Sequence, residues 1–241
     1  MIKTAVFVEG QTELIFVREL VKKSHYYQGI RVQCFKHIGD SNMQEVPYAF
    51  GPIDAENYFQ IFDIGNDASV VSAIRNREEN MFKAGFHRII GLRDMYSKAY
   101  LKTVSSRIID SNINQRFIES QNKMMFKLKN SEKISLCFAI METEAWFLGM
   151  YRCFQKVDAR LTPVYISEVL KLDLITDDPE RTVFHPANYL ERIYENVGQK
   201  YEKSKSNTEV LMSGLNVADF NQLRTSGRCH SFSELCNALK I

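Results

Sequence analysis

A chain of 241 residues, 45% hydrophobic and 25% charged, is long enough for one large domain or one domain with an appended subdomain; with only 11 Gly and 5 Pro it is not collagen-like or disordered. The formal net charge of +2 means that any nucleic-acid site has to be local. Five scattered cysteines, an odd number, disfavour an oxidised secreted disulfide framework and suit a reducing compartment.

Residues 2–8 read as a buried strand, residues 12–23 as a helix with Leu14, Val17, Leu20 and Val21 on one face, and residues 30–38 as a second extended segment. Residues 58–64 form another short apolar strand, ended by Gly65-Asn66-Asp67, and Asp67 or Ser69 is placed to cap the helix that runs to about Lys83. Gly85 reads as the C-cap of that helix. Residues 87–92 make the next strand, 112–129 an amphipathic helix through Ile113, Phe117, Met124 and Leu128, and 134–141 the last strand. Alternation of this kind predicts an α/β fold, a parallel sheet covered by helices. After Tyr151 the segments 165–172, 186–197, 208–215, 217–224 and 231–239 read as short helices, so a boundary near residue 152 separates an α/β portion, 1–152, from a helical portion, 153–241. The opening strand runs straight into Glu9-Gly10, which predicts no export signal, and no run approaches the roughly 18 uncharged residues of a membrane helix; the expectation is a cytoplasmic protein.

Carboxylates fall at strand ends. Glu9 follows the first strand, Asp94 the strand at 87–92, and Glu142 with Glu144 the strand at 134–141. Parallel strands bring their carboxyl ends to one edge of a sheet, which is where α/β proteins bind ligands. Clustered carboxylates repel unless a cation lies between them, and oxygen donors with few His or Cys nearby suit Mg²⁺ or Mn²⁺ rather than zinc. Acids at strand ends also serve as helix caps, and Glu13 and Glu144 are placed to complement a helix dipole instead. In the turn from Val8 to Glu13, Gly10 permits a tight strand-to-helix connection and Thr12 is available as the cap, which leaves Glu9 unused by capping.

The run Val6-Phe7-Val8-Glu9-Gly10-Gln11-Thr12-Glu13 resembles the first motif of Toprim domains, the fold shared by topoisomerases, bacterial primases and OLD-type nucleases. Gly91-Leu92-Arg93-Asp94-Met95-Tyr96 stands where that family has Asp-x-Asp, with Tyr96 in place of the second acid. A closer resemblance, over most of the chain, is to a prokaryotic Toprim-like family with Asp94-x-Tyr96, Glu142-Thr143-Glu144-Ala145-Trp146 and Tyr201-Glu202-Lys203 in order. The resemblance implies a Toprim-like α/β catalytic domain and a Mg²⁺- or Mn²⁺-dependent endonuclease acting on DNA or RNA, tRNA included. Glu9, Asp94, Glu142, Glu144 and Lys203 would be catalytic, and Glu9, Glu13, Asp94, Glu142 and Glu144 would hold the metal. In this reading Glu142 or Glu144 supplies the acid that Tyr96 does not, and Lys203 meets the scissile phosphate unless it is only a solvated lysine of its charged stretch. Such nucleases often act in anti-phage defence beside a separate ABC- or AAA-type ATPase, which implies a toxic effector with an ATPase partner, and paired sites make a homodimer a further expectation. A Toprim scaffold that only binds nucleic acid or the ATPase is the rival reading.

Charge is segregated along the chain. Residues 98–133 carry eight Lys or Arg against three Asp or Glu, and residues 40–79 carry eight acids against two bases. Lys123 and Lys127, one helical turn apart with Arg116 roughly on the same side, form a candidate phosphate-binding row, or an ordinary solvated face. Cys229-His230 with Cys236 and Cys153 matches no zinc spacing, His185-Pro186 reads as a helix start, and Trp146 reads as core. No Gly-x-x-x-x-Gly-Lys-Ser/Thr or Gly-x-Gly-x-x-Gly is present, so ATP hydrolysis is not expected of this chain.

Overall fold

The computed structural model describes residues 1–39, 42–66, 69–104 and 106–241. The chain opens with β1 (Ile2–Val8), α1 (Gln11–Ser24), β2 (Ile30–Ile38), β3 (Asn42–Phe50) and β4 (Asn57–Asp63). It continues with α2 (Ser69–Lys83), β5 (Arg88–Asp94), α3 (Lys98–Leu101), α4 (Ser111–Met125) and β6 (Ile134–Ala139). Then come α5 (Glu144–Gly149), α6 (Phe154–Val157), α7 (Pro163–Leu170), α8 (Pro179–Thr182), α9 (Pro186–Glu195), α10 (Lys205–Ser213), α11 (Val217–Thr225) and α12 (His230–Leu239). Two compact units result. One comprises residues 1–93, 118–138 and 235–241, and the other residues 94–117 and 139–234. Among the described residues no helix is long and apolar enough to cross a membrane.

The first unit holds the body of a six-stranded sheet in the order β3-β2-β4-β1-β5-β6. β1 runs parallel to β4 and β5, and β2 parallel to β4, so the expected α/β architecture of a largely parallel sheet flanked by helices is present. β3 is the departure: it pairs antiparallel with β2 at the sheet edge. Periodicity gives no sign of β3 because every one of its residues is exposed or only partly buried, so no apolar alternation was required of it. Pro47 is tolerated there because an edge strand need not donate on both sides. The core is aromatic at its centre, with Phe62 stacked between Phe7 at 4.8 Å and Phe35 at 5.1 Å, and Val70, Val71 and Ile74 of α2 pack on this cluster.

Helix ends follow ordinary chemistry, with three departures from expectation. Gly85 takes φ +84°, and the N–H groups of Gly85 and Phe86 donate to Phe82 and Met81 carbonyls, a Schellman end that a glycine accommodates without strain. Asp67 lies outside the described residues, and Ser69 does not cap α2 but starts it; the Asn66 side chain accepts its N–H at 3.0 Å. Thr12 does not cap α1 either: Gly10 is the N-cap, with no side-chain bond, and Thr12 is buried within the first turn. The helix expected over 112–129 ends at Met125, so Lys127 lies beyond it.

The second unit is helical around Trp146, which is fully buried. Its Nε1–H lies 3.0 Å from both Glu180 Oε1 and Ser231 Oγ, and Ser231 in turn donates both its hydroxyl and its N–H to the Glu180 carboxylate. This one network ties α5, α8 and the start of α12 together, as the sequence reading of Trp146 as core requires. Burial pushes the Glu180 carboxyl up to about 7, against the opposing effect of the Ser231 and Trp146 hydrogen bonds. A carboxyl raised in the folded state stabilises the fold while it is protonated. That contribution, on the order of 3 kcal/mol, is present below pH about 4.5 and is lost as pH rises through about 7. Urea midpoints at pH 5 and pH 8 should therefore differ more in the wild type than in Glu180→Gln, which stays neutral at both. Equal pH differences in the two proteins would show that Glu180 does not carry the effect.

Candidate metal and catalytic site

β5 ends on Asp94, and the backbone beyond it is held by two bonds, Met95 N–H to Ala139 O at 3.0 Å and Tyr96 N–H to Met141 O at 2.7 Å. Met141 adopts the left-handed region at φ +63°, a conformation that costs a non-glycine residue about 1–2 kcal/mol. This bend after β6 precedes Glu142 and Thr143, and Glu144 then begins α5. The result is a group of three carboxylates, Asp94, Glu142 and Glu144, each offering an oxygen within 4.8 Å of the others. All three are buried, Glu144 completely.

Each carboxylate is oriented by a donor from another part of the second unit. Thr143 N–H donates to Asp94 Oδ1 at 3.0 Å. Ala187 N–H, one of the unsatisfied amides of the first turn of α9, donates to Glu142 Oε2 at 3.0 Å. The Tyr201 hydroxyl donates to Glu144 Oε1 at 2.7 Å. Burial, followed by the charge of Glu144 and the hydrogen bond to it, raises the Tyr201 phenol far above its ordinary value, so it remains a proton donor to that carboxylate at every physiological pH. Lys203 Nζ reaches all three acids, at 3.1 Å from Asp94, 3.2 Å from Glu142 and 3.0 Å from Glu144. Three carboxylates against one ammonium leave formal negative charge in a buried place, and oxygen-only donors at this spacing fit a hard divalent cation.

The family is decided by a comparison across almost the whole length: the domain of unknown function DUF4276 matches residues 8–240. The chain belongs to the DUF4276 family. No curated protein and no solved structure matches it.

Of the residues singled out in this DUF4276 sequence, Asp94, Glu142, Glu144 and Lys203 are brought together. Glu9 and Glu13 belong to the sheet unit. There Glu9 lies 3.9 Å from Arg93 Nε, and Glu13 is buried in the first turn of α1. A further strand-end acid of that unit is Asp63, paired in register with Val8; its carboxyl is raised by burial and accepts the Gly65 N–H at 3.0 Å. Arg116 and Lys123 are exposed positions of α4 and Lys127 is exposed after it, so Lys123 and Lys127 are not successive turns of one helix as the spacing suggested. The cysteines are buried and unbridged, as expected of packing residues.

Sequence reasoning missed His185. It starts α9 with Pro186 in the first helical position, as read, but its Nδ1 also lies 3.1 Å from Glu142 Oε2 and its ring is 4.4 Å from that of Tyr96. The contact is short, yet its angle is not that of a hydrogen bond. Local sequence could show the helix start; only the fold could show which carboxylate it faces.

Proposed function

We propose that this protein is a divalent-metal-dependent nuclease that cleaves phosphodiester bonds of DNA or RNA. The observation that carries the reading is the convergence of Asp94, Glu142 and Glu144 on one point, each fixed by a protein donor. Those three residues would hold Mg²⁺ or Mn²⁺, which when bound supplies an activated water and charge neutralisation at the phosphate. The chain's own contribution is rigidity: Thr143, Ala187 and Tyr201 hold the three carboxylates so that the acids themselves need not reorganise on binding. Glu9, carried over from the Toprim resemblance, is assigned acid–base work or a further ligand position, and Glu13 a ligand position. The same resemblance supports a cytoplasmic toxic effector of anti-phage defence, with a separate ATPase as partner and a homodimer as the cutting form.

The test is incubation of the purified protein with plasmid DNA and with total tRNA, in Mg²⁺, Mn²⁺ or EDTA, beside Glu9→Ala and Asp94→Ala. Metal-dependent cutting that both substitutions abolish supports the nuclease. Binding without cutting, in the presence of the ATPase as well, would leave the non-catalytic scaffold in its place. The basic residues are tested separately: Lys123→Glu with Lys127→Glu should weaken nucleic-acid binding and reduce the slope of log affinity against log salt by about two. An unchanged slope removes them from the interface.

A further inference from the structure

In each carboxylate of the cluster one oxygen accepts from a protein hydrogen-bond donor and the other faces Lys203, with the Thr143 hydroxyl also 3.4 Å from Glu144 Oε2. Asp94 Oδ1, Glu142 Oε2 and Glu144 Oε1 accept from Thr143, Ala187 and Tyr201. The other three, Asp94 Oδ2, Glu142 Oε1 and Glu144 Oε2, stand 3.0–3.2 Å from the single ammonium of Lys203. Those are the oxygens turned toward a common centre, and Nζ sits at it. A divalent ion bound through the same oxygens at about 2.0–2.6 Å would occupy the same place.

Resting on the reading of this cluster as a divalent-cation site, we propose that Lys203 is a built-in competitor for the metal: its ammonium holds the cation position, and metal loading requires that side chain to swing out. The surroundings permit this motion. The Lys203 side chain is 36% exposed and precedes α10, so its flexible stem has solvent to turn into. Tyr201, two residues earlier, is buried and bonded to Glu144, so the backbone stays anchored while the lysine moves. Neighbouring Glu202 is paired with Lys200 at 2.6 Å and lies outside the exchange. In the resting protein the acids are therefore neutralised in part by the chain itself, which keeps the cluster folded without metal and sets a threshold for metal entry.

The experiment is calorimetric titration of the full chain with Mn²⁺, comparing wild type, Lys203→Met and Lys203→Gln, each also in an Asp94→Asn background. Both Lys203 variants should bind Mn²⁺ at least about tenfold more tightly than wild type, because a cation no longer has to be displaced, and Asp94→Asn should cancel the gain. In EDTA, Lys203→Met should melt below wild type and regain that loss on adding Mn²⁺, which a purely structural lysine would not produce. Lys203→Gln keeps a hydrogen-bond donor among the carboxylates and carries the comparison if Lys203→Met does not fold. Equal or weaker Mn²⁺ binding by the variants, with wild type binding normally, overturns the competition and leaves the metal site standing. No Mn²⁺ binding by any of the folded proteins overturns the cation-site reading, and the competition with it.

Discussion

On the proposed nuclease reading, Asp94→Asn is expected to lower metal-dependent phosphodiester cleavage by about a thousandfold in kcat/KM, since a bound divalent ion contributes several kcal/mol to the transition state. The substitution is nearly isosteric and keeps an oxygen to accept the Thr143 N–H, so the geometry after β5 is retained while one negative charge is lost. Affinity for a labelled oligonucleotide in EDTA should change little, which separates loss of chemistry from loss of binding. Cleavage by the Asn variant within a few-fold of wild type would remove Asp94 from the reaction and with it the assignment of this cluster as the catalytic centre.

Trp146→Ala is expected to destabilise the protein by about 3–5 kcal/mol in urea unfolding, the range for deleting a fully buried large aromatic side chain. The cavity is only part of the cost. Glu180 and Ser231 lose the indole N–H donor, whose Nε1 is 3.0 Å from both, and Phe232, whose ring centroid lies 5.6 Å from that of the indole, loses its packing partner. Trp146→Phe fills most of the volume and removes the donor, so it should cost less, about 1–3 kcal/mol. If both variants cost under about 1 kcal/mol, the Trp146–Glu180–Ser231 network is not what joins α5, α8 and α12.

The strands other than β3 and the helices α1, α2, α9 and α11 were legible because each is written in local periodicity and local punctuation. The run Ile2–Val8 is buried at five consecutive positions, and Pro186 and Gly85 mark helix ends by their own backbone chemistry. β3 was illegible for the opposite reason: an edge strand with no buried face places no periodic demand on its residues. The end of α4 at Met125 escaped as well, since apolar spacing continues through Leu128 after the helix has stopped. Of the site, Asp94, Glu142 and Glu144 could be picked out because strand ends are visible in sequence. Lys203 could be named only through resemblance, its local surroundings reading equally well as a solvated charged stretch.

What the sequence by itself determined was the alternation of strand and helix and the delivery of acids to the ends of β5 and β6, both set by interactions within a few residues. What only the tertiary structure decided was how those acids are held and what opposes their charge. Glu142 meets the Ala187 amide across 45 residues, Glu144 the Tyr201 hydroxyl across 57, and Asp94 the Lys203 ammonium across 109. No local pattern encodes such pairings, because hydrogen bonds and Coulomb attraction act only once packing has brought the partners within a few ångströms.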